Sequence, residues 1–126
     1  MRSYGIRLTE INEPMIRYIG FNMLDPVVGG KSERARKLRQ AIAIAINFEE
    51  NIAIFFNGRG TAAQGPLPPS VFGSLEGKAG INPYVYTWGE HGPKRRSIEE
   101  ARQLMKEAGY PGGRDPKTGR ALILHY

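Results

Sequence analysis

The stretch from Leu38 to Pro69, LRQAIAIAINFEENIAIFFNGRGTAAQGPLPP, constrains the fold more than any other part of the chain. Apolar residues recur at spacings of three and four from Glu33 onward, which predicts a helix with one apolar stripe. The stripe contains Ala35, Leu38, Ala41, Ile42, Ala45 and Ile46, and it is widened by Ala43 and Ile44. We expect this helix to pack one face into a core, with its C-terminal half more buried than its Arg-rich start.

A second helix is predicted directly after the first. Asn47 is typical of an N-cap, because its side-chain oxygen can accept a hydrogen bond from a free N–H of the first turn. Glu50, three residues on, completes a capping-box-like pair. The next apolar face comes from Ile52, Ala53, Phe55 and Phe56, and Gly58 ends the helix.

The segment that follows is GRGTAAQGPLPPSVFGSLEGKAGINP. It is too rich in Gly and Pro to hold a helix. Pro68 and Pro69 favour extended or polyproline geometry. The pattern predicts a long ordered loop or strap.

A third helix is predicted to begin after Ser97, which forms a capping box with Glu100. Its inner face is formed by Ile98, Ala101, Leu104, Met105 and Ala108. We expect Gly109 to be the left-handed residue after the helix, and Tyr110 to contact Met105 in a Schellman arrangement.

Two strands are predicted from aromatic and β-branched character. The first is Arg17 to Asn22, which contains Tyr18, Ile19 and Phe21, and the second is Ala121 to Tyr126. The fold class predicted from all these elements is α+β, with about three helices packed on a small mixed sheet.

The composition suits one globular domain. The chain has 126 residues, of which 40% are hydrophobic and 24% charged. The absence of Cys excludes a disulfide scaffold, a thiol nucleophile and a cysteine metal site. No apolar run is long enough to span a bilayer, and the first thirty residues lack the continuous apolar region of a secretory signal.

A formal net charge of +6 raises the alternative of a small basic nucleic-acid-binding module. The basic residues are nevertheless split between the starts of two helices, and Glu33, Glu99 and Glu100 are interspersed among them. Charge runs on amphipathic helices usually form solvated faces. We therefore expect no nucleic-acid partner.

A degenerate P-loop is the other alternative. Gly29-Gly30-Lys31-Ser32 stands between a predicted strand and a helix, which is the context of a phosphate-binding loop. The first glycine of that motif is replaced by Asp25, and Pro26 removes an amide donor. Gly58 to Ala63 fits G-x-G-x-x-A, but it follows a helix and so lacks the dinucleotide-binding context.

No catalytic or metal site is predicted. His91 and His125 are the only histidines, and they lack the close spacing of a helical zinc pair. His91 is expected to be a solvent-facing loop residue. Asp25 and the glutamates stand mostly at caps or on polar helix faces, so we expect no enzyme activity and no cofactor.

Several motifs in a fixed order resemble the family 5 extracellular solute-binding proteins, the dipeptide, oligopeptide and nickel receptors of ABC importers. The motifs are Tyr18-Ile19-Gly20-Phe21-Asn22, Leu38-Arg39-Gln40-Ala41 with Ala45-Ile46-Asn47, Gly60-Thr61-Ala62 with Gly65-Pro66-Leu67-Pro68-Pro69, and Ser97 to Pro111. The resemblance covers the chain from about Tyr18 to Tyr126. Phe48 and Glu49 depart from the family's usual pattern, as does the insertion-like stretch NPYVYTWGEHGPKRRS.

The resemblance implies that residues 1–126 are a fragment of the C-terminal lobe of a type II periplasmic binding protein, with 1–16 as a hinge or entry segment. The full-length protein would close two lobes around a peptide or similar solute and deliver it to ABC-importer permease subunits. It would be periplasmic, or extracellular and membrane-anchored. Phe21, Asn22, Tyr86 and Trp88 are predicted to lie near the ligand cleft.

Overall fold

The computed structural model describes residue 5, residues 7–11 and residues 13–125. Its helices are α1 (Glu33–Ala45), α2 (Phe48–Phe55) and α3 (Ile98–Glu107), and its strands are β1 (Tyr86–Gly89) and β2 (Gly92–Arg95). Short 3₁₀ turns span Gly77–Gly80 and Pro111–Gly113. The fold is therefore α+β, as predicted, and long irregular segments connect its elements.

Helix α1 begins after Ser32, whose hydroxyl accepts a hydrogen bond from the Ala35 amide at 3.2 Å. Its buried residues follow one another at a spacing of three, and they are Ala35, Leu38, Ala41 and Ile44. The predicted stripe is thus shifted, because Ala45 at the end of the helix is exposed whereas Ile44 is buried. The prediction that one face of this helix packs into a core is confirmed.

Helix α3 has the ends that the sequence predicts. The Ser97 hydroxyl and the Glu100 carboxylate form a reciprocal capping box. At the other end Gly109 has φ of 84°, its amide donates to the Lys106 carbonyl, and the Tyr110 amide donates to the Met105 carbonyl, both at 3.0 Å. These two bonds make a Schellman motif. Ile98 was assigned to the inner face, but it stays 45% exposed.

The core lies where α1 packs against α3. One cluster joins Val28, Leu38, Ala108 and Tyr110, and a second joins Ile44, Val85, Tyr86 and Ala101. Polar contacts close the same interface, because Lys37 pairs with Glu107 at 3.0 Å and the Arg34 guanidinium stacks on Tyr110 and donates to its hydroxyl. Two of the three helices thus form the packed layer.

Helix α2 differs from the other two helices. The Asn47 side chain accepts a hydrogen bond from the Glu50 amide at 3.1 Å, so the predicted N-cap is confirmed. The helix has no buried residue, however, and Phe55 remains 74% exposed. The prediction that three helices pack on a sheet is therefore wrong for α2, whose apolar residues are half-buried or exposed.

The sheet is a two-stranded antiparallel hairpin, and the prediction of a mixed sheet is wrong. Glu90 and His91 form its two-residue turn between the paired Gly89 and Gly92, so the expectation of an exposed His91 is confirmed. The segment from Arg17 to Asn22 is not a strand. Its Tyr18 side chain is 81% exposed. A β-rich sequence becomes a strand only when another strand pairs with it.

The predicted strand from Ala121 to Tyr126 is reduced to one isolated bridge between Arg114 and Ala121. Residues 122–125 have no strand assignment, and Tyr126 lies outside the described residues. The Gly- and Pro-rich segment after α2 is irregular up to the turn at Gly77–Gly80, which agrees with a predicted loop or strap.

A tight turn precedes α1. The Asp25 carboxylate accepts hydrogen bonds from the amides of Val27 and Val28 at 2.8 and 2.9 Å. Gly29 donates to the Asp25 carbonyl at 2.9 Å, and Arg39 donates to the Val28 carbonyl at 2.6 Å. A Cβ atom on Gly29 would stand only 2.4 Å from the Asp25 carbonyl oxygen. The turn therefore requires glycine at this position.

Arg95 at the end of β2 joins three elements. Its Nε donates to the Glu49 carboxylate of α2 at 2.8 Å. One terminal nitrogen donates to the carbonyls of Ala43 and Ile44 at the end of α1, at 3.3 and 3.2 Å. The other donates to the Tyr86 hydroxyl at 2.8 Å, and that hydroxyl donates to Glu49 at 2.7 Å. We call this set of contacts the Arg95 clamp.

We expect Gly29→Ala to destabilise the chain by about 3 kcal/mol, because the new Cβ atom would collide with main-chain atoms that cannot move aside cheaply. Gly30→Ala is the matched control. Gly30 has φ of 76° with open space around its Cβ position, so only the left-handed backbone opposes alanine, at about 1 kcal/mol. Denaturant unfolding measures both. Equal losses would contradict the account of the turn.

We expect the stability to fall between pH 10 and about pH 12 because of Tyr86. Burial and the hydrogen bond to Glu49 raise the pKa of Tyr86 from 10.0 to about 12. Tyr86 contributes its full share to the free energy of unfolding below the pKa that it has in the unfolded chain. That share is lost as the pH rises through the pKa that it has in the folded chain. In Tyr86→Phe this loss of stability should be absent when the free energy of unfolding is measured between pH 10 and about pH 12.

Tyr84→Phe is the control for removing a tyrosine hydroxyl, because Tyr84 is 60% exposed, and it should leave the free energy of unfolding at neutral pH nearly unchanged. A Tyr86→Phe curve that runs parallel to that of the unsubstituted chain above pH 10 would show that the Tyr86 hydroxyl does not hold its proton more tightly in the folded state.

Candidate functional site

An open groove of about 460 Å³ lies between α2, the loop that follows it and the hairpin. Helix α2 contributes Glu49, Ile52 and Ala53, the loop contributes Gly58, Gly60, Thr61, Ala62 and Gln64, and the hairpin contributes Tyr86 and Pro93. The lining is mainly apolar with a few polar groups, which is the usual character of a small-molecule site.

The Arg95 clamp sets the charge of the groove. Burial raises the pKa of Glu49, but hydrogen bonds from Tyr86, its own main-chain amide and Arg95 outweigh burial and hold the pKa below its usual value. Glu49 is therefore ionised at neutral pH, and the Arg95 guanidinium, 2.7 Å away, balances it. The wall of the groove carries an ion pair with no net charge.

The loop after α2 forms one side of the groove, which we call the loop wall, through Gly58, Gly60, Thr61, Ala62 and Gln64. Residues 61–63 have no regular secondary structure, and Thr61 and Ala63 are exposed. Within the part of the chain that the structure describes, the amides of residues 60–63 donate no hydrogen bond. Gln64 is anchored instead, because its side-chain oxygen accepts from the Asn82 amide at 3.2 Å. The groove thus combines a mainly apolar lining with a loop whose amides at residues 60–62 have no acceptor among the described residues.

The four site residues predicted from the sequence fall in different places. Tyr86 is 4% exposed and lines the groove. Trp88 lies two residues further along β1, is 41% exposed and does not line it. Phe21 is half-buried against the cluster of Leu38 and Tyr110.

Asn22 is exposed, and its side chain accepts a hydrogen bond from the Leu24 amide at 3.0 Å. It therefore stabilises its own turn and is not among the groove-lining residues. A ligand role for these residues stays a prediction.

Sequence reasoning did not identify the loop wall as part of a site. Gly58 and Gly60 are the residues that could indicate such a site, because glycine lets a ligand approach the main chain closely. Gly58 has φ of 72° and Gly60 has φ of 143°. Both residues line the groove.

The phosphate-binding alternative is not supported by the turn before α1. The amides of Val27 and Val28, which would face a phosphate, already donate to the Asp25 carboxylate. These bonds, the one from Val28 foremost, lower the pKa of Asp25, so the position carries a negative charge that repels an anion.

Five of the eighteen Lys and Arg residues form ion pairs within the described residues. Arg36 pairs with Glu33, Lys37 with Glu107, Arg95 with Glu49, Arg96 with Glu100 and Arg102 with Glu99. Arg39 binds main-chain carbonyls. These carboxylates and carbonyls offset part of the positive charge that the six side chains would offer to a phosphate backbone.

The described residues hold neither a metal-ligand cluster nor a membrane-spanning helix. No three His, Asp or Glu side chains there are grouped so that they could hold a metal ion. Among the helices described, none has the length and apolarity needed to span a membrane.

Comparison with known proteins gives relatives along most of the chain. The glutathione-binding protein GsiB of Pectobacterium atrosepticum is 35% identical over 109 residues, which is 85% of this chain and 18% of that protein. Heme-binding protein A of Haemophilus influenzae is 31% identical over 112 residues, 86% of this chain and 16% of that protein. GsiB of Shigella flexneri is 32% identical over 112 residues, 89% of this chain and 18% of its own.

The chain therefore spans less than a fifth of the length of these curated relatives. No solved structure matches it significantly. The family described as "Bacterial extracellular solute-binding proteins, family 5 Middle" matches residues 3–124. The resemblance seen in the sequence motifs is confirmed, and the chain belongs to the family 5 bacterial extracellular solute-binding proteins.

Proposed function

We propose that the chain is part of the C-terminal lobe of a receptor that captures peptides or similar small solutes and delivers them to the permease subunits of an ABC importer. Residues 1–16 are the hinge or entry segment of this lobe in the proposal. The receptor works outside the cytoplasm, in a periplasm or anchored at a cell surface. It binds its solute and performs no covalent chemistry on it.

The groove beside α2 is the observation that carries the proposal. An extended peptide has main-chain carbonyls that can accept hydrogen bonds from free amides along a neighbouring extended segment. The amides of Gly60, Thr61 and Ala62, three residues that line the groove, donate no hydrogen bond within the described residues, and we propose them as these donors. Ile52 and Tyr86 offer an apolar surface for a side chain. The ion pair of Glu49 with Arg95 adds polarity without net charge, which suits an uncharged peptide bond.

The names of the relatives support a small solute. Two of the proteins described above bind glutathione, which is itself a small peptide, and one binds heme. Both ligands have carboxylates and apolar portions, so a groove with an apolar floor and main-chain donors is compatible with either. We prefer a peptide to heme as the solute class, because main-chain amides can donate hydrogen bonds to the carbonyls of a peptide.

A single lobe supplies only one side of a binding cleft in this proposal. The remaining contacts come from a second lobe that closes over the solute, because closure around a hinge is how such receptors couple occupancy to shape. Tyr86 is proposed as part of the cleft wall. Phe21, Asn22 and Trp88 are proposed to contact solute or the opposing lobe in the longer receptor.

We expect glutathione and trialanine to shift the amide resonances of residues 60–62 when they are titrated into the 126-residue chain. The readout is a two-dimensional NMR spectrum of the ¹⁵N-labelled chain. Ala62→Leu should weaken these shifts strongly, because Ala62 lines the groove and a larger side chain would fill it.

Ala63→Leu is the matched control, since the neighbouring Ala63 is exposed and does not line the groove. It should leave the titration unchanged. Shifts confined to other parts of the chain, or equal effects of the two substitutions, would contradict this groove as the solute site.

A further inference from the structure

The sequence Asn57-Gly58 follows α2 at the edge of the groove. It is the only place in the chain where Asn precedes Gly. Asn57 has φ of 51° and Gly58 has φ of 72°, and both residues are exposed. A residue other than glycine in the left-handed region is uncommon, and Asn is among the few that accept it.

We propose that Asn57 is a modification site, where spontaneous deamidation converts asparagine into isoaspartate and aspartate at the rim of the groove. The Gly58 main-chain nitrogen, losing its proton to water, attacks the Asn57 side-chain carbonyl carbon. Ammonia leaves and a five-membered succinimide forms. Glycine favours this step because it has no side chain to hinder the approach.

Water then opens the succinimide without any oxidant or reductant. Attack at the side-chain carbonyl gives aspartate, and attack at the main-chain carbonyl gives isoaspartate, in which the chain runs through the former side chain. Either product replaces a neutral amide by a carboxylate. Because Gly58 lines the groove, the change adds negative charge and, for isoaspartate, an extra main-chain atom beside the site.

The fold restrains this reaction through one hydrogen bond. The Gly58 amide donates to the Ile52 carbonyl at 3.0 Å, so the nucleophilic nitrogen is held against the last turn of α2. Attack requires that turn to open. Helix α2 has eight residues and none is buried, so local opening is easy. The Asn47 cap at the start of the helix and the Arg95 clamp on Glu49 both restrain that opening.

The rate should therefore follow the stability of α2. Asn47→Ala removes the cap, and we expect deamidation at Asn57 to become about five times faster, which corresponds to about 1 kcal/mol. Asn51→Ala makes the same side-chain change in the middle of the helix, where alanine favours helix formation. There we expect the rate to fall about twofold.

The test is to incubate the 126-residue chain and both variants at mildly alkaline pH and to follow each asparagine by peptide mass mapping. Isoaspartate is detected by labelling with an isoaspartate-specific methyltransferase. A synthetic peptide covering residues 53–62 gives the rate without the helix. Asn57 should react before every other asparagine of the chain and more slowly than in the peptide. Its rate of deamidation should be highest in Asn47→Ala, intermediate in the unsubstituted chain and lowest in Asn51→Ala.

Asn82 is an internal control, because Pro83 offers no N–H for ring closure. The proposal is overturned if Asn57 stays intact while other asparagines react. It is also overturned if the three chains react at one rate, or if the chain reacts as fast as the peptide.

Discussion

The guanidinium of Arg95 is the contact on which the arrangement around the groove depends. It joins the last carbonyls of α1, the Glu49 carboxylate of α2 and the Tyr86 hydroxyl of β1. The planar fork of arginine can serve these acceptors together, whereas a lysine ammonium acts as a point charge. Since α2 buries no residue, the clamp supplies the orientation that packing supplies elsewhere.

Local features were predictable from the sequence. The caps at Asn47 and Ser97 and the left-handed Gly109 depend on residues within one turn of each other, so their spacing in the sequence determines their geometry. The apolar side of α1 was predictable for the same reason. The buried stripe contains Ile44 and not Ala45 because α3 packs against α1 on that side. The sequence pattern of α1 alone carries no information about where α3 lies.

Features that need distant partners were not predictable. Arg17 to Asn22 has the composition of a strand, but no strand in the described residues pairs with it. The hairpin is not predicted, because its pattern, Tyr-Thr-Trp-Gly before Glu-His-Gly, lies in a stretch that resembles an insertion. The Arg95 clamp joins residues up to 52 positions apart. The groove depends on those contacts, and only Tyr86 among its walls was predicted.

The central claim, that Arg95 rather than apolar packing positions α2 beside the hairpin, is tested most directly by amide hydrogen exchange in Arg95→Lys. Lysine retains the charge but loses the fork. The account predicts faster exchange for the amides of α2 and the loop after it, while those of α3 keep their protection. Unchanged protection in α2, or a uniform loss over all three helices, would contradict it.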